Sequence, residues 1–323
     1  MLRKAVCLAF VVLVLAGCAK KENNQVVIYS TSEDYRIEYF QNMLDEKFPG
    51  YDVTIEYYST GNLAAKLKAE GTQTYCDIVG ELEAGYAEGL LDNFASLSAF
   101  DSSIFLDALV PAHKKYFPFY LNFGCVVLNK DVLAKRNLPA PRSYQDLLKP
   151  EYRGLLSMPN PKSSGTGYFF LKNLVNTMGE EAAFAYFDGF AENVLQFTSS
   201  GSGPINALIQ GEAGIGLGMT AQAVVQMNQG APLSITYFEE GSPYTLYVTG
   251  IIKGKEERKA VREVFEFYMD AVSREDKRLY VPDQIFKDQV NMIPNYPFGI
   301  KIADMRGIEN LAEKERLLSK WKY

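Results

Sequence analysis

"QVVIYSTSEDYRIEYFQNMLDEKFPGYDVTIEYYSTGNLAAKLKAEG" (residues 25–71) decides the fold class. Val26 to Tyr29 is a short apolar run of the buried-strand kind. A polar turn, Ser30-Thr31-Ser32, follows. Phe40, Met43, Leu44 and Phe48 then recur at helical spacing until Pro49-Gly50 ends the helix. Val53, Ile55 and Tyr57 alternate as in a strand. Ser59-Thr60-Gly61 turns the chain into a second helix, closed by Gly71. "CDIVGE" (76–81) adds a further buried-type strand. This alternation predicts an α/β unit with a mainly parallel sheet. Ligands of such sheets bind beyond the carboxyl ends of the strands. Those ends are expected at Ser30-Thr31-Ser32, at Ser59-Thr60-Gly61 and at Gly80-Glu81.

Working outward, a strand is expected from Phe117 to Leu128. "PKSSGTGYFFLKNLVN" (161–176) passes from a small hydroxyl-rich loop into a helix carrying Tyr168, Phe169, Leu171, Leu174 and Val175. The first N–H groups of a helix lack internal partners, and its N-terminus is partially positive. Ser163, Ser164, Gly165 and Thr166 therefore either hold an anion or simply cap the helix. A second Ser/Gly turn carries Ser200 and Ser202 ahead of another helix, and "LSITYFEEGSPYTLYVTGIIKG" (233–254) reads as extended. "EERKAVREVFEFYMDAVS" (256–273) is a helix with Val261, Val264, Phe265 and Tyr268 on one face.

The N-terminus has the layout of an export signal. Arg3 and Lys4 precede an apolar run, Ala5 to Ala16, that is too short to span a bilayer, which takes about 20 residues. Leu15-Ala16-Gly17-Cys18 resembles the lipobox of bacterial lipoproteins. The resemblance implies removal of residues 1–17, a lipid on Cys18, a polar tether over 18–25, and a protein held on the membrane in the cell envelope.

Composition excludes several classes. The formal net charge is −6 and no basic block is present, which argues against a nucleic-acid partner. His113 is the single histidine, set in "PAHKKYF" with no acid beside it in sequence. Histidine-rich metal centres and Ser-His-Asp triads are thus not expected. No G-x-S-x-G elbow occurs. Cys76 and Cys125 lie in apolar strand-like runs, as a disulfide or as two buried thiols. The expectation is a protein that is not an enzyme and has no cofactor.

The order of motifs resembles the type II periplasmic binding proteins, the solute receptors of ATP-binding-cassette (ABC) importers. The segments that carry the resemblance are the 25–71 stretch, "FGCVVLNKDVL" (123–133), "LPAPRSYQDLLKPEYRGLLSMPNPKSSGTGY" (138–168) and "QGEAGIGLG" (210–218). The resemblance implies two α/β lobes hinged by crossover strands, with a small-molecule ligand clamped between them. Lobe 1 would be residues 26–119 plus 243–323, and lobe 2 residues 120–242. A permease and a separate ATPase subunit are the implied partners, and a monomer is expected.

All the hydroxyl-rich loops would then face one cleft. Ferric-iron receptors of this family place a tyrosine pair just after the "G-E-x-x-x-G" strand, and Met219-Thr220 stands there instead. The favoured ligand is a small anion, phosphorylated or a phosphonate. Ferric iron is the alternative, through combinations such as Tyr35 or Tyr244 with Glu81 or Glu240, and a polyamine is the third reading. Thr220 and Glu240 join the expected site, and Arg36 either supplies charge or lies on the helix surface.

Overall fold

The computed structural model describes residues 24–323. The expected signal segment, the lipobox and Cys18 lie outside the described residues. Among the described residues, the strands are β1 (Gln25–Ser30), β2 (Asp52–Tyr57), β3 (Ile78–Glu83), β4 (Phe117–Asn129), β5 (Leu156–Pro159), β6 (Val194–Thr198), β7 (Ile215–Met219), β8 (Leu233–Thr236) and β9 (Tyr244–Ile251). They join in the order β2-β1-β3-β9-β4-β7-β5-β6, with β8 also on β4. β1 is parallel to β2 and β3, and β5 is parallel to β6 and β7. β4 and β9 run antiparallel to their neighbours and join these two parallel units. The result is a two-lobed α/β fold.

β4 belongs to both lobes. Residues Phe117 to Phe123 pair with β9, and from Gly124 onward the strand pairs with β7. Gly124 is required at this crossing because a Cβ there would lie 2.5 Å from the Phe169 ring. Gly124 N donates to Pro243 O at 2.8 Å, and Ser242 Oγ donates to Gly124 O at 2.7 Å. The two connecting strands are thus tied together where they pass between lobes.

Each lobe has its own core. Val26, Ile28, Phe40, Phe265 and Tyr268 fill the first, and Val126, Leu156, Phe169, Phe187 and Leu217 the second. Each such side chain contributes about 1.5–3 kcal/mol on burial. The expected division of the chain needs one correction. The helix Lys259–Phe267 packs in the first-lobe core, but Ala303, Met305, Ile308, Leu317 and Trp321 join the second. The Trp321 ring sets its edge against Phe187 at 5.1 Å and Phe197 at 5.5 Å, which fastens the chain end to the second lobe.

Cys76 and Cys125 are free, buried thiols, each pushed up in pKa by burial. His113, which has no acid beside it in sequence, lies with Nε2 3.3 Å from Glu88 Oε1 in the fold. Among the described residues no helix is long and apolar enough to cross a membrane.

Candidate functional site

The lobes close over a cavity of about 20 Å³. That is room for one water-sized group, so a metabolite enters only when the lobes part. The first lobe contributes Thr31, Glu33, Tyr57, Ser59 and Thr60. The connecting strands contribute Tyr120 and Tyr247. The second lobe contributes Ser163, Ser164, Thr166, Gly201, Ser202 and Met219.

Apart from Tyr120 and Tyr247, which lie within β4 and β9, these side chains converge because each ends or follows a strand or lies at the start of a helix. Thr31 and Glu33 leave β1 and open the helix Asp34–Lys47. Ser59 is the N-cap of the helix Thr60–Glu70, yet its side chain makes no capping bond. Ser164 is the N-cap of the helix Gly165–Met178 and does cap it, accepting from Gly167 N at 3.4 Å. The Oγ atoms of Thr31 and Ser59 are buried without a hydrogen-bond partner. An unpaired buried hydroxyl costs about 1–3 kcal/mol, and here two such groups sit on the wall of one cavity.

The lobes touch directly. Gly61 N donates to Ser163 O at 3.0 Å. Thr60 Oγ1 lies 3.3 Å from Tyr247 Oη, and Asn122 Nδ2 donates to Thr166 Oγ1 at 3.3 Å. A Cβ on Gly165 would come 2.5 Å from Tyr247 Oη, and one on Gly201 would come 2.7 Å from Thr166 Oγ1. Ser200 Oγ sits 3.0 Å from Ser202 Oγ.

Thr31, Thr60, Ser163, Ser164, Thr166 and Ser202 therefore lie together at the cavity, with Gly61, Gly165 and Ser200 beside it. Ser30 and Ser32 lie behind this set. Ser30 Oγ donates to Glu81 and also accepts from Ser32 N at 3.1 Å, and Ser32 is fully buried with an unpartnered Oγ.

Besides Ser30 and Ser32, the expected residues Glu81, Thr220 and Glu240 are not brought to the cavity. β3 runs on to Glu83, so Glu81 lies inside the strand, fully buried, accepting from Tyr268 Oη at 2.5 Å. Burial raises its carboxyl pKa. Thr220 starts the helix Thr220–Asn228 and turns to Tyr237, at 3.2 Å, while Met219 takes the cavity wall. Glu240 is half-buried and does not line the cavity; it lies near Tyr144 and Tyr186, whose phenol pKa is raised mainly by burial and further by the Glu240 charge. Tyr35 and Tyr244 do not line it either.

Arg36 is fully buried rather than on the helix surface. Its Nε donates to Asp276 at 2.8 Å, its Nη1 to Glu33 at 3.0 Å, and it lies 4.5 Å from the centre of the Tyr120 ring.

Glu33, Tyr57, Tyr120, Tyr247 and Met219 were not expected from sequence. Alternation in 53–57 pointed to the strand that delivers Tyr57. Tyr120 and Tyr247 meet only through the antiparallel register of β4 and β9, where their rings stack at 4.7 Å and 9°. Burial raises the phenol pKa of Tyr120 and Tyr247 above its usual value, while Tyr57 is largely exposed. Among the described residues no group of three or more His, Cys, Asp or Glu side chains is placed to hold a metal ion.

The fold is similar to that of AfuA from Actinobacillus pleuropneumoniae with fructose-6-phosphate bound, at a TM-score of 0.81 and 22% identity, covering 92% of this chain and 97% of that one. It is also similar to iron-bound HitA from Pseudomonas aeruginosa, at 0.74 and 15%, covering 91% and 98%. In sequence, it is 23% identical over 273 residues to a protein of Salmonella typhi provisionally named a 2-aminoethylphosphonate-binding periplasmic protein, covering 80% of this chain and 77% of that protein. The family profile of bacterial extracellular solute-binding proteins matches residues 84–279. With two α/β lobes closing on a hydroxyl-lined cavity, the chain belongs to the bacterial extracellular solute-binding proteins.

Proposed function

We propose that this chain is the lipid-anchored receptor of an ABC importer, and that it carries a small phosphorylated or phosphonate anion to a permease served by a separate ATPase. The observation that carries the ligand class is the pair of unpartnered buried hydroxyls, Thr31 Oγ1 and Ser59 Oγ, on a cavity walled by both lobes. Phosphate-type oxygens accept several hydrogen bonds at once, and hydroxyls, phenols and free helix N–H groups supply them. The sugar-phosphate-bound neighbour and the relative named for a phosphonate support the same class.

Ferric iron fits this donor set less well. Met219 stands on the wall and Thr220 faces Tyr237, so neither offers the phenol that the iron receptors carry at that place. The lipid is assigned to Cys18 and the location to the outer side of a membrane, on the lipobox resemblance.

A thermal-shift screen tests the ligand. A true ligand at 100 times its Kd adds about 2.7 kcal/mol to stability. A phosphonate or sugar phosphate is expected to raise the melting point, and Ser59→Ala or Thr166→Val to weaken its binding by about tenfold. Stabilisation by Fe³⁺ with a tyrosinate absorption band, and by no phosphorus compound, would replace this reading with the iron one.

A further inference from the structure

Among the described residues, the cavity wall carries one carboxylate, Glu33, and no lysine or arginine. The nearest buried cations give no surplus positive charge. Arg36 Nη1 donates to Glu33 Oε2 at 3.0 Å, but Arg36 Nε is committed to Asp276 Oδ1 at 2.8 Å. Lys277 Nζ lies 2.5 Å from the other oxygen of Asp276. Glu33, Arg36, Asp276 and Lys277 thus form a line of alternating charge that sums to zero, and its acidic end reaches the cavity. Glu33 is the N-cap of the helix Asp34–Lys47 and makes no capping bond to a backbone N–H, so its own helix engages it only through Arg36, at Oε2. A carboxylate accepts through two oxygens. With Oε2 on Arg36, Oε1 remains.

An anion seated on the neighbouring hydroxyls would lie a few ångströms from Glu33 in a site with little water. Like charges there repel far more than in solvent. The wall therefore suits a ligand that brings its own positive group. We propose that the cavity takes a zwitterion, with a phosphate-type group on the hydroxyl loops and an ammonium group on Glu33, which makes Glu33 the specificity-determining residue. This rests on the anion reading above.

The test compares 2-aminoethylphosphonate, propylphosphonate and inorganic phosphate by calorimetry on the detergent-solubilised full-length protein. The two phosphonates differ by ammonium against methyl. Wild type is expected to prefer the amine by about tenfold or more. Glu33→Gln keeps an acceptor for Arg36 and should lose most of that preference, with propylphosphonate bound as well as before or better. Equal binding of both phosphonates by wild type overturns the role of Glu33 and leaves the anion reading standing. An undiminished preference in a folded Glu33→Gln protein does the same. The wild-type comparison needs no variant and by itself decides whether the ligand is a zwitterion; where Glu33→Gln folds poorly, Glu33→Ala replaces it, and an undiminished preference there overturns the role of Glu33. Binding of none of the three compounds overturns both readings.

Discussion

Gly61 shows how one atom controls the approach of the lobes. Its N–H bonds Ser163 O across the cleft, and a Cβ there would lie 2.5 Å from Lys162 O. That obstacle is backbone and cannot swing aside. Gly61→Ala should leave each lobe intact, since alanine is a good helix residue, while overpacking of about 1–3 kcal/mol falls on the closed state. Ligand affinity is expected to drop about tenfold or more with the melting point of the free protein unchanged, read by calorimetry and a thermal melt. Asp283 gives a separate residue-scale prediction. Burial pushes its carboxyl up to about 6, against about 3.9 in an unfolded chain. The folded protein holds this proton more tightly, so the associated stability is present below about pH 4 and is lost as pH rises through about 6. The loss amounts to roughly 3 kcal/mol at most. Asp283→Asn keeps an acceptor for the Tyr296 hydroxyl. It should melt higher than wild type at pH 7.5, with the gap closing toward pH 4. A constant gap across that range would reject the assignment.

At the scale of elements, the helix Leu311–Lys320 acts as a strap across both lobes. Leu317 sits in the second-lobe core, while Lys314 reaches Glu83 at the end of β3. Both partners of that ion pair are buried, and Lys314 also lies 3.8 Å from the Tyr86 ring centre and 4.4 Å from that of Tyr168. Thr245 Oγ1 and Gly85 N give Glu83 further hydrogen bonds. Removing one partner of a buried pair typically costs about 3–5 kcal/mol, because the other charge is stranded. Lys314→Met should lose stability on that scale in urea unfolding, and adding Glu83→Gln should recover more than half of it. A double variant no better than Lys314→Met would show that the pair is not what Lys314 contributes.

Little of this strap was legible. "LAEKERLLSK" (311–320) reads as a solvated, charged helix, and nothing local tells that Lys314 alone among its charges is buried. The sequence was informative where the signal is local. Periodicity found the first strands and helices, and turn composition found the hydroxyl loops. It misplaced Glu81 because the carboxyl end of a buried strand carries no compositional mark: β3 continues apolar and acidic to Glu83. It missed Tyr120 and Tyr247 because their pairing depends on the register between strands more than a hundred residues apart.

For the whole molecule, two connecting strands and a nearly filled cavity imply a hinge. β4 and β9 are bonded to each other along Phe117 to Phe123, and the chain changes lobe at Gly124 and at Ser242-Pro243. A cavity of about 20 Å³ cannot admit a phosphonate, so the free protein must populate an opened arrangement for binding to occur. The ligand can shift that equilibrium only by contacts it makes better in the closed form. The hydroxyls of Thr31 and Ser59 lie in the first lobe and those of Ser164 and Thr166 in the second, so both sets engage one ligand only when the lobes close on it, at a separation somewhat wider than the one seen here. Small-angle scattering should therefore show a smaller radius of gyration at saturating ligand than without it. Gly61→Ala should compact less at the same occupancy, because its obstacle lies on the closing path and not within either lobe. An identical radius with and without ligand in wild type would mean that the lobes do not move, and that entry to the cavity depends on side chains such as Tyr57, the most exposed of its walls.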